Sequence, residues 1–110
     1  MPDEVQSEES FLSKWVYNFL LYLGYDHELI LNDEMILKNA ERSLKSAVRF
    51  AEGAVGTGFT LGDDERYDEL VFIYGEDLFN NRGVSAKVSG ATRLLVHGLE
   101  QQLRLKLRGV

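Results

Sequence analysis

The chain has 110 residues, of which 45% are hydrophobic and 27% charged, with a net charge of −6 and no cysteine. This is a globular rather than a disordered composition, and the length suits one modest domain. The lack of cysteine excludes a disulfide framework, a thiolate zinc site and a cysteine nucleophile, and the net acidity argues against general nucleic-acid binding, which rests on neutralising phosphates.

Residues 1–10 carry Asp3, Glu4, Glu8 and Glu9 without a base and read as a flexible acidic N-terminus. Ser10 can cap a first helix from Phe11 to about Leu23, and Gly24 is placed to stop it. Trp15, Phe19 and Tyr22 stand with Leu12, Val16, Tyr17, Leu20, Leu21 and Leu23 in a helix that is apolar nearly all round. Such a helix is either the centre of the core or covered by a partner, so Trp15, Phe19 and Tyr22 are candidate interface residues. The apolar run is interrupted by Ser13, Lys14 and Asn18 and is too short to span a bilayer. The acids before it are the reverse of a signal-peptide start, so a cytoplasmic protein without a membrane anchor is expected.

Residues 25–31 read as a connector, after which Asn32 offers an N-cap and Asp33 and Glu34 a favourable acidic first turn. A long second helix to about Val55 follows. Leu37, Ala40, Leu44, Ala47, Val48 and Ala51 mark its buried stripe. Lys38, Arg42, Lys45 and Arg49 form a basic stripe at spacings of four, three and four. That stripe is either a solvated outer face or a strip that meets an acidic neighbour or faces DNA.

Gly53, Gly56, Gly58 and Gly62 punctuate the next stretch. It follows a helix and lacks a Gly-Lys-Ser/Thr group, whereas a phosphate loop follows a strand, so a helix stop plus a mobile loop around Phe59 is expected. Asp63 or Asp64 can cap a third helix running to about Arg82, with Tyr67, Leu70, Val71, Tyr74 and Leu78 on its apolar face and Gly83 at its end. Residues 63–77 carry seven acids and only Arg66. After a short segment at 84–88, Ser89 can cap a fourth helix with a stripe through Leu95, Leu99 and Leu103. Leu103, Leu105 and Leu107 alternate with Arg104, Lys106 and Arg108, a pattern that also fits a strand. The expected organisation is therefore an all-α bundle of about four helices over residues 11–102, with a glycine-rich loop and an extended basic C-terminal arm at 103–110.

Catalytic equipment is missing from this pattern. His27 lies in Asp26-His27-Glu28, but adjacent side chains do not face one another, and a metal needs three or four converging ligands. His97 sits among leucines and reads as a packing or surface histidine. No nucleophile-elbow motif is present. The expectation is a protein that is not an enzyme and uses no cofactor or metal.

The segment Leu23-Gly24-Tyr25-Asp26-His27-Glu28, with Asp33 and the long helix to Ala54-Val55-Gly56, resembles the opening of the head–tail connector proteins of tailed double-stranded DNA bacteriophages. In that family a short helix leads through an acid-rich link into a long helix that ends in a glycine turn. The stretch Leu70-Val71-Phe72-Ile73-Tyr74-Gly75-Glu76-Asp77-Leu78-Phe79-Asn80-Asn81-Arg82 is similar to the second signature, an apolar helix ending in an aromatic–x–Asn–Arg group, and Leu103-Arg104 matches a final Leu-Arg pair. The resemblance covers about residues 15–105 and is one of order and spacing. Phe79 stands where the family usually has tyrosine, Gly83 where an acid is common, and the segment before Phe11 is extra.

The resemblance implies a structural virion protein of the head completion (adaptor) class. Copies would assemble as a ring, dodecameric in its usual form, beneath the portal after DNA packaging, while the free subunit can be a monomer. The ring would extend the DNA channel and receive the next connector or tail-completion protein, with only non-specific proximity to DNA and no membrane. The protein would then sit at the head–tail interface of the virion, and in host cytoplasm during assembly. The residue pattern and the resemblance together make Trp15, Phe19, Tyr22, Phe79, Asn81, Arg82, Leu103, Arg104, Leu105, Lys106, Leu107 and Arg108 candidates for contacts with copies or partners, and Lys38, Arg42, Lys45 and Arg49 a candidate strip for the channel or an acidic partner. Segregated charge along the chain agrees with head-to-tail contact between copies. Two rival readings remain: a small adaptor that binds one partner through the helix at 11–23 without forming rings, and a DNA-binding factor using the basic stripe and tail.

Overall fold

The structure is a computed structural model that describes residues 14–81 and 90–109. Every regular element among them is an α-helix, as the apolar periodicities predict. The helices are α1 (14–22), α2 (His27–Asn32), α3 (Glu34–Val55), α4 (Glu65–Asn80), α5 (Gly90–Leu95) and α6 (His97–Leu107). None of these helices is long and apolar enough to cross a membrane. Backbone contacts group the chain up to Arg42 into one compact unit and the chain from Ser43 into another, where the sequence suggested one domain over 11–102. The boundary falls inside α3, which at about 1.5 Å per residue is roughly 33 Å long.

In the first unit, α1 buries Val16, Phe19 and Leu20. It ends at Gly24 (φ +97°), where the Tyr25 amide donates to the Leu20 carbonyl and the Gly24 amide to that of Leu21, both at 3.0 Å. This pair of bonds is a Schellman cap, and the positive φ is what requires glycine, since the space around a Cβ there is open. The connector expected at 25–31 is instead largely the helix α2, whose only buried residue is Ile30. The expected cap also moves by one residue. Asp33, not Asn32, accepts the Ile36 amide through Oδ1 at 3.1 Å, while Asn32 Nδ2 donates back to the Glu28 carbonyl at 2.8 Å. Asp33 thus ends α2 and begins α3: its own amide bonds the Leu29 carbonyl, and its carbonyl accepts from Leu37.

In the second unit, α3 contributes Leu44, Ala47, Ala51 and Val55 to the core. The apolar face expected for α4 is the one observed, with Tyr67, Leu70, Val71, Tyr74 and Leu78 buried, joined by Phe79. Asp64 caps this helix through a 2.9 Å bond from the Arg66 amide to Oδ1. α4 ends at Asn80, and Asn81 Nδ2 bonds the Asp77 carbonyl at 2.7 Å. Arg82, Gly83, the segment 84–88 and Ser89 lie outside the described residues.

The expected fourth helix is two. It breaks at Val96 (φ −92°, ψ 1°), which is fully buried. α5 and α6 both pack on α4. The break changes which leucines face inward: Leu103 is buried as expected, but Leu95 is 74% exposed and Leu94 80%. The C-terminal stretch read as an extended arm is helical through Leu107. At about 100° per residue Leu105 points away from Leu103, whereas Leu107 returns close to its face.

Candidate functional site

The end of α6 is fastened to the glycine loop that follows α3 by both apolar and polar contacts. A Cβ on Gly58 would come within 2.2 Å of Leu107 Cδ2, and one on Gly56 within 2.9 Å of Leu107 Cδ1. Gly56 also has φ +104°. Leu107 therefore lies directly on a backbone that only glycine can expose so closely. In the same loop Phe59 stacks on Tyr67 of α4, with ring centroids 5.3 Å apart and planes 18° from parallel. The loop expected to be mobile is thus packed.

Charge reinforces this docking. Asp64 Oδ2 accepts from Lys106 Nζ at 2.6 Å and from Arg66 Nη2 at 3.0 Å, and Arg66 Nη1 reaches Gln102 Oε1 at 3.3 Å. The Asp64 side chain is only 8% exposed. The Arg66 hydrogen bonds and then that of Lys106 hold its carboxyl far below the usual carboxylate range. Asp63 is lowered as well, chiefly by the Thr60 hydroxyl, which donates to Oδ2 at 2.6 Å. Asp68 moves the other way: partial burial raises it, although the Gly62 amide donates to Oδ1 at 2.8 Å. Arg104 Nε donates to the Ala54 carbonyl at 2.6 Å, one of the last carbonyls of α3, and its Nη2 lies 3.6 Å from the buried Glu100.

Several candidate interface residues therefore serve the chain's own fold. Phe19, Phe79 and Leu103 are buried, and Asn81 caps α4. Arg104, Lys106 and Leu107 hold α6 to the loop. These residues are not a free docking arm. Tyr22 (45% exposed), Leu105 and Arg108 do face solvent, Trp15 is half-buried, and Leu105 and Arg108 line a shallow groove with Gln101 and Arg104. Arg82 lies outside the described residues.

His27 is not a free loop residue: at the start of α2 it bonds the Tyr17 hydroxyl through Nδ1, with the two rings perpendicular. His97 opens α6 and is exposed. No group of three metal-ligating side chains converges among the described residues. Tyr67 is buried, and its hydroxyl has no hydrogen-bond partner there. Burial, with the charges of Glu52 and Asp68, pushes it up to about 12.

All four stripe residues, Lys38, Arg42, Lys45 and Arg49, are exposed along α3. Sequence reasoning missed their counterpart. Glu65, Glu69 and Glu76 are exposed on α4 at offsets of four and eleven residues, within about 40° of one another around the axis. It also missed the solvent-facing Leu29, Leu31 and Met35 of the first unit, whereas the exposed Leu21 belongs to the helix read as apolar nearly all round. The acidic run was visible in the sequence, but its outer face emerges only once the buried face of α4 is fixed. Comparison of the chain with protein-family models, with curated proteins and with solved structures finds no match.

Proposed function

We propose that the chain is a head–tail connector subunit of a tailed double-stranded DNA bacteriophage. It is a non-enzymatic structural protein that joins copies of itself as a ring under the portal, extends the DNA channel and receives the next connector or tail-completion protein. One observation supports the reading: the segments that resemble the family fall, in order, on a capped turn, a long helix closed by a glycine turn and an apolar helix, although the link is itself the helix α2 and Leu103-Arg104 lies within α6 rather than at its end. Leu23-Gly24-Tyr25-Asp26 is the capped turn after α1. The long α3 stops at Val55 before the positive-φ Gly56. Phe79, Asn80 and Asn81 end the apolar α4, and Leu103-Arg104 lies in α6.

Exposed Tyr22, Leu21, Leu29, Leu31 and Met35 favour a second reading, a single-partner adaptor that forms no ring. Size-exclusion chromatography of the protein mixed with the portal of the same phage separates the two. Co-elution with the portal ring at many copies per portal supports the connector. Separate elution at every ratio refutes it.

A further inference from the structure

The two charged stripes match in length and spacing. Lys38, Arg42, Lys45 and Arg49 lie at offsets of zero, four, seven and eleven residues along α3; Glu65, Glu69 and Glu76 lie at zero, four and eleven along α4. Each stripe keeps to one face and extends about 16 Å. The position seven residues after Glu65 is Phe72, which has contacts of its own. Glu41 and Lys45 also interact within the chain. Lys38, Arg42, Arg49, Glu65, Glu69 and Glu76 are exposed, and among the described residues none of the six is in an ion pair or side-chain hydrogen bond.

We infer that the basic face of α3 on one copy docks against the acidic face of α4 on the next. With the helices parallel, Lys38 meets Glu65, Arg42 meets Glu69 and Arg49 meets Glu76, three bases against three acids; the antiparallel alignment would call on Lys45, which already interacts within its own chain. The two faces are different surfaces of one chain. The contact is therefore heterologous: each copy uses both faces, and assembly continues until it closes. This names the surfaces behind the connector reading and rests on that reading only in taking a second copy as the partner. The chain's net charge of −6 opposes association at long range, but at physiological salt that repulsion is screened beyond about 8 Å, while close pairs persist.

The test is sedimentation velocity of the full chain and two charge-reversed variants, Lys38→Glu/Arg42→Glu/Arg49→Glu and Glu65→Lys/Glu69→Lys/Glu76→Lys. Wild type should sediment above its 12.5 kDa monomer at about 150 mM salt and return to monomer near 1 M, where the screening length falls to about 3 Å. Each variant alone should remain monomeric at both salts. The second variant is informative because its net charge is zero, two units gained at each of three positions from −6, so general repulsion cannot keep it apart. An equimolar mixture should recover the wild-type sedimentation coefficient, since every α3–α4 contact between unlike variants is complementary again. Circular dichroism of each variant confirms that it is folded. A monomeric wild type at the lower salt, a variant that associates as wild type does, or a mixture that stays monomeric would overturn the inference. So would salt-sensitive DNA binding by a monomeric wild type, lost in the first variant, which would give the basic face to DNA. Portal binding is measured separately, so the connector reading stands or falls on its own result.

Discussion

A double-mutant cycle between Gly58 and Leu107 tests whether the last turn of α6 is seated on the glycine loop. Leu107 is 42% exposed, so a little over half of its side chain is buried. Burying a whole leucine contributes about 1.5–3 kcal/mol, which gives Leu107 roughly 1–1.5 kcal/mol. Leu107→Ala should lower stability by about that amount. Gly58→Ala places a Cβ 2.2 Å from Leu107 Cδ2, and the leucine, a flexible side chain at the helix end, must leave its seat. The cost is then bounded by what Leu107 contributes, again about 1 kcal/mol. With Leu107→Ala already present there is nothing to displace. Gly58→Ala should then be neutral or gain a few tenths of a kcal/mol from a less flexible unfolded chain. The predicted coupling is about 1 kcal/mol, well above the roughly 0.3–0.5 kcal/mol scatter of independent sites. Urea unfolding of the four proteins at equal concentration measures it. Additive effects would refute the docking and return residues 103–107 to the free arm that their alternation suggests.

Asp64→Ala removes a helix cap and the partner of two cations, and should cost about 1–2 kcal/mol in thermal or urea unfolding at neutral pH. Because the folded carboxyl titrates below its unfolded value of 3.8, its stabilisation is complete above that pH and is lost as pH falls through the folded value. The gap between wild type and variant should therefore narrow on acidification below about pH 4; a gap that is constant with pH would contradict the pairing. Gly24→Ala should cost about 1–2 kcal/mol although the space is open, since the φ of +97° alone opposes it, and an unchanged melting temperature would refute the cap. Tyr67→Phe should be neutral or stabilising, because the buried hydroxyl it removes has no partner among the described residues. The ultraviolet titration of Tyr67 should be displaced to about 12, and a loss of more than about 1 kcal/mol in the variant would expose a missed hydrogen bond.

What the sequence revealed depended on how many residues shared a signal. α4 was legible because five apolar positions keep one helical period and an aspartate precedes them. α3 was legible for the same reason along twice as many turns as any short element offers. α2 was not, because a six-residue helix with one buried side chain has no period to detect. The cap at Asp33 was assigned to Asn32 because both residue types accept an amide, and only the backbone decides which reaches it. The break at Val96 carries neither glycine nor proline, and of the expected stripe it leaves Leu95 facing outward while Leu103 stays buried. For Leu103, Leu105 and Leu107, the alternation of a strand and the two-residue step of a helix are identical on paper; the seat under Leu107 separates them, and the glycines that form it are 49 or more residues away in sequence. The charged stripes lie between these cases. The basic one could be counted directly, while the acidic one emerges from the run at 63–77 only after the inward face of α4 is known.

The most direct test of the account is electron microscopy of the protein mixed with the portal of the same phage, beside each component alone. A connector subunit should add a ring of density at the narrow end of the portal, coaxial with the channel, into which the helices of this chain fit as repeated copies. A portal whose narrow end is unchanged at saturating protein, with the chain compact and monomeric in the background, would contradict it.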